Sequence, residues 1–459
     1  MDEIEEKEQN QAEAIFEQIN NEIALFKEDL SSIHPYDISE LLLKLRDLDE
    51  DQYSTALRRI PSVLLAEVLS EVPDFIHEEI SEHISTKKLV AVASNMDTDD
   101  AADFIQNISE ENEEIAQAIL ESFDDKDKEV LEKLISYDES QAGAHMQSEL
   151  FKANENENIG NAIRRLKVLK ESGAVDNIWH CHVTTNKGIY LGSVGLEELI
   201  IFEHKLNFSD IPQEKFNNYH ILHTSDIKDA VDMITNYNLT SLPVVDEKEK
   251  LIGRITSDDV YDIIEENATE QIYNMAGVDD EAEQDENIIE IGKGRAFWLS
   301  VNLMTAIAAS LVIGLFDATI QSFVALAVLM PIVASMGGNA GTQTLTVTVR
   351  QMALGDIESE DAKKTIYKEV LISLVNGFIF AFIIGLIAYF WFQIPLLGVV
   401  IAISMIINLV SAGFFGAVIP LALQKAGIDP AIGSTVLLTT VTDVVGFFSF
   451  LGLATLILL

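Results

Sequence analysis

LLGVVIAISMIINLVSAGFFGAVIPLAL, residues 396–423, runs for 28 residues without a charged side chain. A helix needs about 20 apolar residues, at a rise of about 1.5 Å each, to cross the hydrocarbon core of a bilayer. This stretch therefore predicts a membrane-spanning helix. Four more stretches in the C-terminal part of the chain are long and apolar enough to predict the same: 297–315, 323–347, 366–391 and 432–458.

The basic residues beside these stretches predict their orientation, because Lys and Arg prefer the cytoplasmic side of a membrane. They precede the first stretch, separate the second from the third, and separate the fourth from the fifth: Lys293, Arg295, Arg350, Lys363, Lys364, Lys368 and Lys425. The other connectors and the C-terminal end contain no Lys or Arg. We therefore expect a multi-pass protein of the cell membrane, with its N-terminus in the cytoplasm and its C-terminus outside.

The 295 residues before the first stretch form a polyanion. The whole chain has 75 acidic and 30 basic residues, and only eight acidic and five basic ones lie in residues 296–459. Such a charge repels nucleic acid and attracts cations, so we expect no nucleic-acid partner. The single cysteine, Cys181, excludes an internal disulfide framework.

Residues 35–136 repeat one short amphipathic pattern. Apolar residues recur at helical spacing in three sets: Ile38, Leu41, Leu42 and Leu45; Leu65, Val68, Leu69 and Val72; Ala101, Phe104, Ile105 and Ile108. Short helices of this kind must stack to bury their apolar stripes. The pattern predicts a small helical solenoid, preceded by an N-terminal extension at 1–34.

Residues 137–264 change period and contain an internal α/β duplication. The first copy predicts a helix at 159–169, strands at 178–183 and 190–194, and a helix at 195–202. The second copy repeats this order, with a helix at 227–236, strands at 241–245 and 251–255, and a helix at 257–266.

The duplicated segment resembles the paired nucleotide-sensing modules known as CBS domains. In that family a G-x-x-[ST]-x-x-D run places a hydroxyl and a carboxylate against a nucleotide, and the second copy carries it as Gly253, Thr256 and Asp259. The first copy has Gly195 and Glu198 in the hydroxyl and carboxylate positions. The resemblance implies at most one intact site, for a nucleotide such as ATP. A plain helix cap at Thr256 is the alternative.

An acidic connecting helix is expected at 265–295, between the duplicated segment and the membrane part. Between Arg254 and Lys293 the chain has thirteen acidic residues and no basic one.

The fifth apolar stretch contains an ionisable residue, Asp443, near its middle. An ionised side chain at that depth costs at least a few kcal/mol, so such a residue usually faces water or a partner. Thr435, Thr439, Asp443 and Gly446 follow at intervals of four, four and three, which places them on one helical face. A stripe of hydroxyls ending in a carboxylate predicts a wall for a hydrated cation.

The second apolar stretch carries a companion stripe of Ser335, Asn339, Thr342 and Thr346 within Pro331–Gln343, PIVASMGGNAGTQ. Mg²⁺ suits such a lining, because it dehydrates reluctantly and is commonly held by one or two carboxylates and outer oxygens. Glycines and hydroxyls at this spacing also serve tight helix packing without any ion.

The P-x-x-x-x-x-G-G-N-x-G-x-Q run at 331–343 resembles the pore signature of the MgtE family of magnesium channels or transporters. The order of the parts agrees over nearly the whole chain. The resemblance implies that Asp443 binds the hydrated ion. Together with the two polar stripes, it indicates further pore oxygens at Asn339, Thr342, Gln343 and Thr439, although some members carry Asn where this chain has Thr342.

The family also closes its pore when Mg²⁺ bridges acidic cytoplasmic residues. The residues of this chain similar in placement are Asp99, Asp103, Asp226, Asp259, Asp262 and Glu270. Asn267 and Gln271 stand where further carboxylates could lie, so the resemblance implies a weaker sensor here.

The expected fold is therefore multidomain: an α-helical solenoid, an α/β CBS-domain pair, an acidic connecting helix, and an all-α transmembrane domain of five helices at 296–459. The expected function is Mg²⁺ or divalent-cation transport, gated by intracellular Mg²⁺, in a homodimer embedded in the lipid bilayer. The alternative is a membrane-anchored CBS-type nucleotide sensor or scaffold, which leaves Asp443 unexplained. An enzyme is not expected, because no nucleophile and base or metal cluster lies near the spans.

Overall fold

A computed structural model describes residues 2–28, 33–172, 175, 177–278, 288–354, 357 and 362–459. The chain divides into two compact units, Met1–Glu265 and Glu266–Leu459.

The first unit begins with a stack of short helices. Their bounds are α1 Asp2–Glu28, α2 Pro35–Leu48, α3 Glu50–Arg59, α4 Ser62–Leu69, α5 Asp74–His83, α6 Thr86–Ala93, α7 Thr98–Glu111, α8 Glu113–Leu120 and α9 Asp125–Ile135. Asp49, Asn112 and Asp124 accept backbone hydrogen bonds at the starts of α3, α8 and α9, as N-cap residues do. The predicted apolar stripes point into one shared core, where all of their residues except Leu41 are buried.

The sequence pattern set apart an N-terminal extension at 1–34, and in the structure its helix α1 packs on the stack. Helix α1 packs against α2 and α3, and its Ala12, Ile15, Ile19 and Ile23 are buried in the same core. These residues recur at intervals of three and four, which is the helical period. The surrounding charges obscured this signal.

Each α/β copy forms a three-stranded sheet with one parallel and one antiparallel pairing. The first copy comprises β1 Lys152–Asn154, α10 Ile159–Glu171, β2 His180–Thr184, β3 Tyr190–Gly195 and α11 Leu196–Ile201. The second comprises β4 Ile221–Leu222, α12 Ile227–Tyr237, β5 Ser241–Val245, β6 Leu251–Thr256 and α13 Ser257–Ala276.

The predicted duplication is confirmed, since both sheets have the same strand order, β1-β2-β3 and β4-β5-β6. The sequence pattern missed the short first strand of each copy, because two or three residues are too few to show an alternation. It also missed two 3₁₀ turns, Phe208–Asp210 and Gln213–Lys215.

The two copies differ in what they pack against. The first copy has its own core, which includes Phe151 and Phe208. The second shares the core of the helical stack through residues such as Ile234 and Ile255. The helical stack and the second copy are thus one packed body within the first unit.

The expected connecting helix is continuous with the last helix of the second copy. Helix α13 runs on to Ala276, about ten residues beyond its predicted end at 266. Residues 279–287 of the expected connecting helix lie outside the described residues, and the next helix begins at Ile288.

Among its described residues, the second unit contains five helices long and apolar enough to cross a membrane, by length and composition. Its helices are α14 Ile288–Gly314, α15 Asp317–Ser322, α16 Ala325–Ala353, α17 Ala362–Phe392, α18 Pro395–Lys425 and α19 Ser434–Leu458. All but the short α15 match the predicted spans. Helix α15 forms in a connector with no predicted structure, where Thr319 Oγ1 and Thr455 Oγ1 of α19 lie 2.8 Å apart.

Helix α18 lies at the centre of this unit and packs against α16, α17 and α19. Its small and apolar residues, including Gly398, Ala412 and Gly416, are buried. By contrast, α14 and α17 expose many large apolar side chains, as helices facing lipid do.

Replacing Ile19 with Ala tests the packing of α1. Ile19 is fully buried, so Ile19→Ala is expected to destabilise the protein by about 2 to 4 kcal/mol. The control is Leu25→Ala on the same helix, where the side chain is 48% exposed and the expected change is within about 0.5 kcal/mol. Thermal unfolding followed by circular dichroism measures both. Equal midpoints in the two variants would mean that α1 does not belong to the core.

Candidate ion path and acidic cluster

Asp443 lies near the middle of α19, partly buried, as the sequence predicted. Among the residues that the structure describes, its carboxylate has no hydrogen bond or ion pair. An ionised carboxylate within an apolar helix needs water or a cation beside it. Asp443 is therefore the first candidate for an ion-binding group in the second unit.

Glycines bring α16 into close contact with α19. A Cβ built on Gly341 would lie 3.0 Å from the Leu438 side chain, and one built on Gly338 would lie 4.0 Å from Thr439 Cγ2. Side chains larger than hydrogen would separate these helices at Gly341, so the glycines allow the close approach. The two polar stripes predicted from sequence thus belong to neighbouring helices.

The contacts also fix the relative depth of the two stripes. Gly338 faces Thr439, Asn339 directly follows Gly338, and Asp443 lies one turn beyond Thr439. Because α16 and α19 run in opposite directions, Asn339 and Asp443 lie on opposite sides of that level, and a rise of about 1.5 Å per residue puts them about 7 to 8 Å apart in depth.

The remaining predicted pore residues present oxygen atoms on the same helices. Thr439 Oγ1 donates to the carbonyl oxygens of Thr435 at 2.9 Å and Val436 at 3.1 Å, so its lone pairs stay available. Asn339 Nδ2 donates to Ser335 Oγ at 3.4 Å, which leaves the amide oxygen as an acceptor. On α16, Thr342 is partly buried and Gln343 is exposed.

A second carboxylate, Glu369, is buried in α17, and sequence reasoning did not single it out. Thr344 Oγ1 of α16 lies 3.3 Å from Glu369 Oε2 and donates to it. Glu369 therefore has a partner, unlike Asp443.

The end of α13 is attached to the start of α19. Thr435 Oγ1 donates to the carbonyl oxygen of Met275 at 2.7 Å, and the Trp298 ring packs against Gly277 and Gly433. Both glycines have positive φ, 70° and 61°, so a side chain at either would strain the backbone. The expected connecting helix thus contacts the helix that carries Asp443.

In the first unit, carboxylates gather where α7 meets the second α/β copy. We call Asp97, Asp99, Asp100, Glu149 and Asp259 the acidic cluster. Thr98 holds it together, because Thr98 Oγ1 donates to Glu149 Oε2 at 3.0 Å and accepts from the Ser148 N–H at 2.8 Å.

Burial and mutual repulsion raise the pKa of the aspartates of the cluster. Burial is the larger cause for each, and the neighbouring carboxylates add to it. The pKa rises to about 6 for Asp97 and for Asp100, and well above the usual range for Asp99. The pKa of Asp259 is raised as well, as is that of Asp262 beside it. An added positive charge would therefore stabilise the ionised form of the cluster.

One such charge is already present in Arg254, which is only 3% exposed. Its guanidinium donates to Gln147 Oε1 at 3.0 Å and to the Asn177 carbonyl at 3.1 Å. The carboxylates of Asp97, Glu149, Asp99 and Asp259 act on it electrostatically and oppose the lowering of its pKa by burial. Sequence reasoning did not single out this residue.

The structure brings only some of the predicted regulatory residues together. Asp99, Asp259 and Asp262 interact within the first unit. Asp226 instead caps α12 by accepting from the Lys228 N–H at 2.9 Å, and Glu270 in the second unit accepts from Asn274 Nδ2 at 3.1 Å.

Asp103 is exposed on α7. Within the described part of the chain, no three His, Cys, Asp or Glu side chains are arranged to hold a metal directly.

The residues of the predicted nucleotide motif contact one another and neighbouring residues of the chain. Thr256 Oγ1 donates to Asp259 Oδ2 at 2.5 Å, and the Thr256 N–H donates to the same oxygen at 3.1 Å. A Cβ on Gly253 would lie 2.8 Å from Met146 Sδ, so this glycine serves close packing. Asp259 thus accepts from the N–H of the residue before α13, as the third helical residue of a capping box does.

Three family models match the chain in the order of these parts. The model of the MgtE intracellular N domain matches residues 33–140, the CBS domain model matches 210–266, and the MgtE model, described as a divalent cation transporter, matches 330–453. The chain belongs to the MgtE family of divalent cation transporters. This confirms the resemblance drawn from the pore signature, and with it the expectation that the protein is not an enzyme.

Relatives named Magnesium transporter MgtE align with almost the whole chain. The one from Thermus thermophilus is 29% identical over 434 residues, which are 94% of this chain and 95% of that protein. The one from Bacillus subtilis is 24% identical over 430 residues, 94% of this chain and 93% of that protein.

A solved structure of the cytosolic domain of the Mg²⁺ channel MgtE in complex with ATP also aligns with the chain. Its TM-score is 0.48 at 25% identity, and the alignment covers 55% of this chain and 99% of that one.

The acidic cluster of this MgtE protein predicts a pH-dependent stability. A carboxyl whose folded pKa is raised stabilises the fold only when protonated. Its contribution is full below about pH 4 and is lost as the pH rises through about 6. We expect the thermal midpoint to fall between about pH 5.5 and about pH 7.5, and to fall less in Asp97→Asn/Asp100→Asn.

Asp125→Asn is the control for this prediction, because Asp125 is exposed on α9. It is expected to show the same pH dependence as the unmodified protein. An equally steep fall in Asp97→Asn/Asp100→Asn would contradict the assigned role of the cluster.

Proposed function

We propose that this protein carries hydrated Mg²⁺ across the cell membrane along the polar faces of α16 and α19, with Asp443 as the carboxylate that binds the ion. The observation that carries the proposal is the Asp443 carboxylate, which has no partner among the described residues and lies about 7 to 8 Å from Asn339 in depth. The names of the relatives support Mg²⁺ as the ion.

The chemistry of the donors supports a hydrated rather than a stripped ion. Mg²⁺ releases its waters reluctantly and is often held by a single carboxylate while other oxygens contact its water shell. Asp443 supplies the charge in this proposal. Asn339, Thr342, Gln343 and Thr439 supply amide and hydroxyl oxygens that accept hydrogen bonds from the bound waters.

The same proposal assigns a regulatory role to the acidic cluster and Asp262. At neutral pH the repulsion among these carboxylates opposes the packing of α7 against the second α/β copy. A cytosolic Mg²⁺ ion, bound through its waters, relieves that repulsion and favours the packed state. Such binding shifts the population between two packings of the cytoplasmic part and so changes the rate of transport.

The contact of α13 with α19 supports a mechanical route for this signal. Thr435, which donates to the end of α13, lies two turns from Asp443 on the same helix. In the proposal a displacement of α13 moves the start of the ion-binding helix.

The proposal also includes a homodimer with an outside C-terminus. Copies of the chain associate through their CBS pairs, where Ile200 and Ile201 of α11 are exposed by 76% and 75%. Apolar side chains as exposed as these are typical of contact surfaces. The orientation rests on the basic residues beside the spans.

A nucleotide such as ATP at Gly253, Thr256 and Asp259 has less support, because Asp259 already accepts both Thr256 donors. For the same reason, no observation favours the nucleotide sensor or scaffold as the main function.

Substitution of Asp443 tests the ion path. Asp443→Asn keeps the size of the side chain and removes its charge, so Mg²⁺ flux into liposomes is expected to fall by about 100-fold or more. The control is Asp317→Asn, which removes an exposed carboxylate outside the long spans. It is expected to keep its flux. Wild-type flux in Asp443→Asn would end the claim that this carboxylate binds the transported ion.

Substitution within the acidic cluster tests the regulatory role. In Asp99→Asn/Asp259→Asn, inhibition of flux by Mg²⁺ on the cytoplasmic side is expected to require about tenfold more Mg²⁺. Asp125→Asn/Asp127→Asn removes two exposed carboxylates of α9 and should leave the inhibition curve in place. An unshifted curve in the cluster variant would remove the sensor from this cluster, whatever the result at Asp443.

A further inference from the structure

The centre of the second unit contains a buried amide that the proposed ion path does not use. Asn408 lies in the middle of α18 and is fully buried. Ser404, one turn earlier, is equally buried. Its Oγ donates within its own helix, to the Ile401 carbonyl oxygen at 3.2 Å, whereas Asn408 bonds to another helix.

The Asn408 side chain joins α18 to α16. Its Nδ2 donates to the carbonyl oxygen of Val333 at 2.8 Å. A Cβ built on Gly337, one turn further along α16, would lie 2.8 Å from Asn408 Cγ and 2.9 Å from its Oδ1. The amide therefore rests directly on the backbone of α16, where only glycine leaves room for it.

The same amide also rests on α19. A Cβ built on Gly446 would lie 2.8 Å from Asn408 Nδ2 and 3.1 Å from its Cγ. Gly446 belongs to the stripe that carries Asp443, and Gly337 is two residues from Asn339. One side chain of α18 thus fills the space between the two helices that carry the proposed ion path.

Stability alone does not account for an amide at this position. Among the residues that the structure describes, Asn408 Oδ1 has no hydrogen-bond partner, although it is buried. A buried acceptor without a partner is unfavourable for folding, and an apolar side chain of similar size avoids that cost. The feature that an apolar side chain cannot reproduce is the directed bond to the Val333 carbonyl.

We propose that Asn408 is a positioning residue for ion transport, whose amide sets the separation and register of α16 and α19 and so holds Asn339 and Asp443 within reach of one hydrated ion. The inference rests on the proposed ion path. It assigns Asn408 no contact with the ion.

Asn408→Leu is the direct test, because Leu has a similar volume and no amide. The purified full-length protein is placed in liposomes, and the initial rate of Mg²⁺ entry is measured against Mg²⁺ concentration. Thermal unfolding is measured in detergent. The apparent KM for Mg²⁺ is expected to rise by about tenfold or more, since a displacement of about 1 Å can cost as much as 100-fold. The unfolding midpoint is expected to stay unchanged or to rise.

Ser404→Ala is the matched control on the same helix, and it is expected to keep both the KM and the midpoint. A wild-type KM in Asn408→Leu would overturn the inference. A lower midpoint together with a proportional loss of transport, or failure to fold, would also overturn it, because Asn408 would then serve stability.

A pair of substitutions provides an independent test of the separation. Gly337→Ala places a methyl group where the amide lies, so it is expected to impair transport when alone. In Asn408→Ala that space is free, so Gly337→Ala/Asn408→Ala is expected to transport better than Gly337→Ala. If the fold-losses of transport in Gly337→Ala and Asn408→Ala simply multiply in the double variant, the two residues are not coupled. That result would contradict the contact between them as the basis of the positioning.

Asp443→Asn is measured in the same liposomes to separate the two claims. Loss of flux in Asp443→Asn with a wild-type KM in Asn408→Leu defeats this inference alone. Wild-type flux in Asp443→Asn defeats the ion path, and the inference falls with it.

Discussion

A carboxylate within a helix that is otherwise apolar enough to cross a membrane imposes the main constraint on this protein. Hydrocarbon does not stabilise the charge of Asp443, and the structure gives it no partner among the described residues. The neighbouring features are consistent with this constraint. Glycines of α16 allow that helix to approach α19, and the approach places amide and hydroxyl oxygens at a similar depth. The central helix α18 packs against both α16 and α19.

The cytoplasmic unit also buries carboxylates away from the water that would stabilise their charge. Burial of its acidic cluster, together with repulsion among the carboxylates, raises the pKa of Asp97 and of Asp100 to about 6. Arg254 supplies one fixed positive charge, and in the proposal a divalent cation offsets the remaining negative charge. In both units the fold brings negative charge into positions that favour a bound cation.

Much of this organisation follows from local patterns in the sequence. The five spans were predictable because a run of about 20 apolar residues has few alternatives in a helical protein. Asp443 was predictable because charge inside such a run is rare. The duplicated α/β order and the apolar stripes of the helical stack were also visible as periodicities.

Other features depend on contacts between distant residues and could not be read from local patterns. Asn408 looks like an ordinary polar residue in an apolar run until Gly337 and Gly446 are seen to enclose it. In the sequence Arg254 is an ordinary strand residue, and only the fold brings it close to the carboxylates of the acidic cluster. The hydrogen bond between Thr435 and Met275 joins residues 160 positions apart. The apolar stripe of helix α1 is weak in the sequence, and its burial is evident only from its contacts with the helical stack.

The central claim is that Asp443 borders a hydrated, oxygen-lined path, and diffraction from crystals grown with Mn²⁺ tests it most directly. Mn²⁺ can replace Mg²⁺ at oxygen ligands, and its anomalous signal locates it. The account predicts an anomalous peak between α16 and α19, about 4 to 5 Å from the Asp443 carboxylate if water lies between them. A carboxylate packed against lipid or paired with a basic side chain, with no peak beside it, would contradict the account.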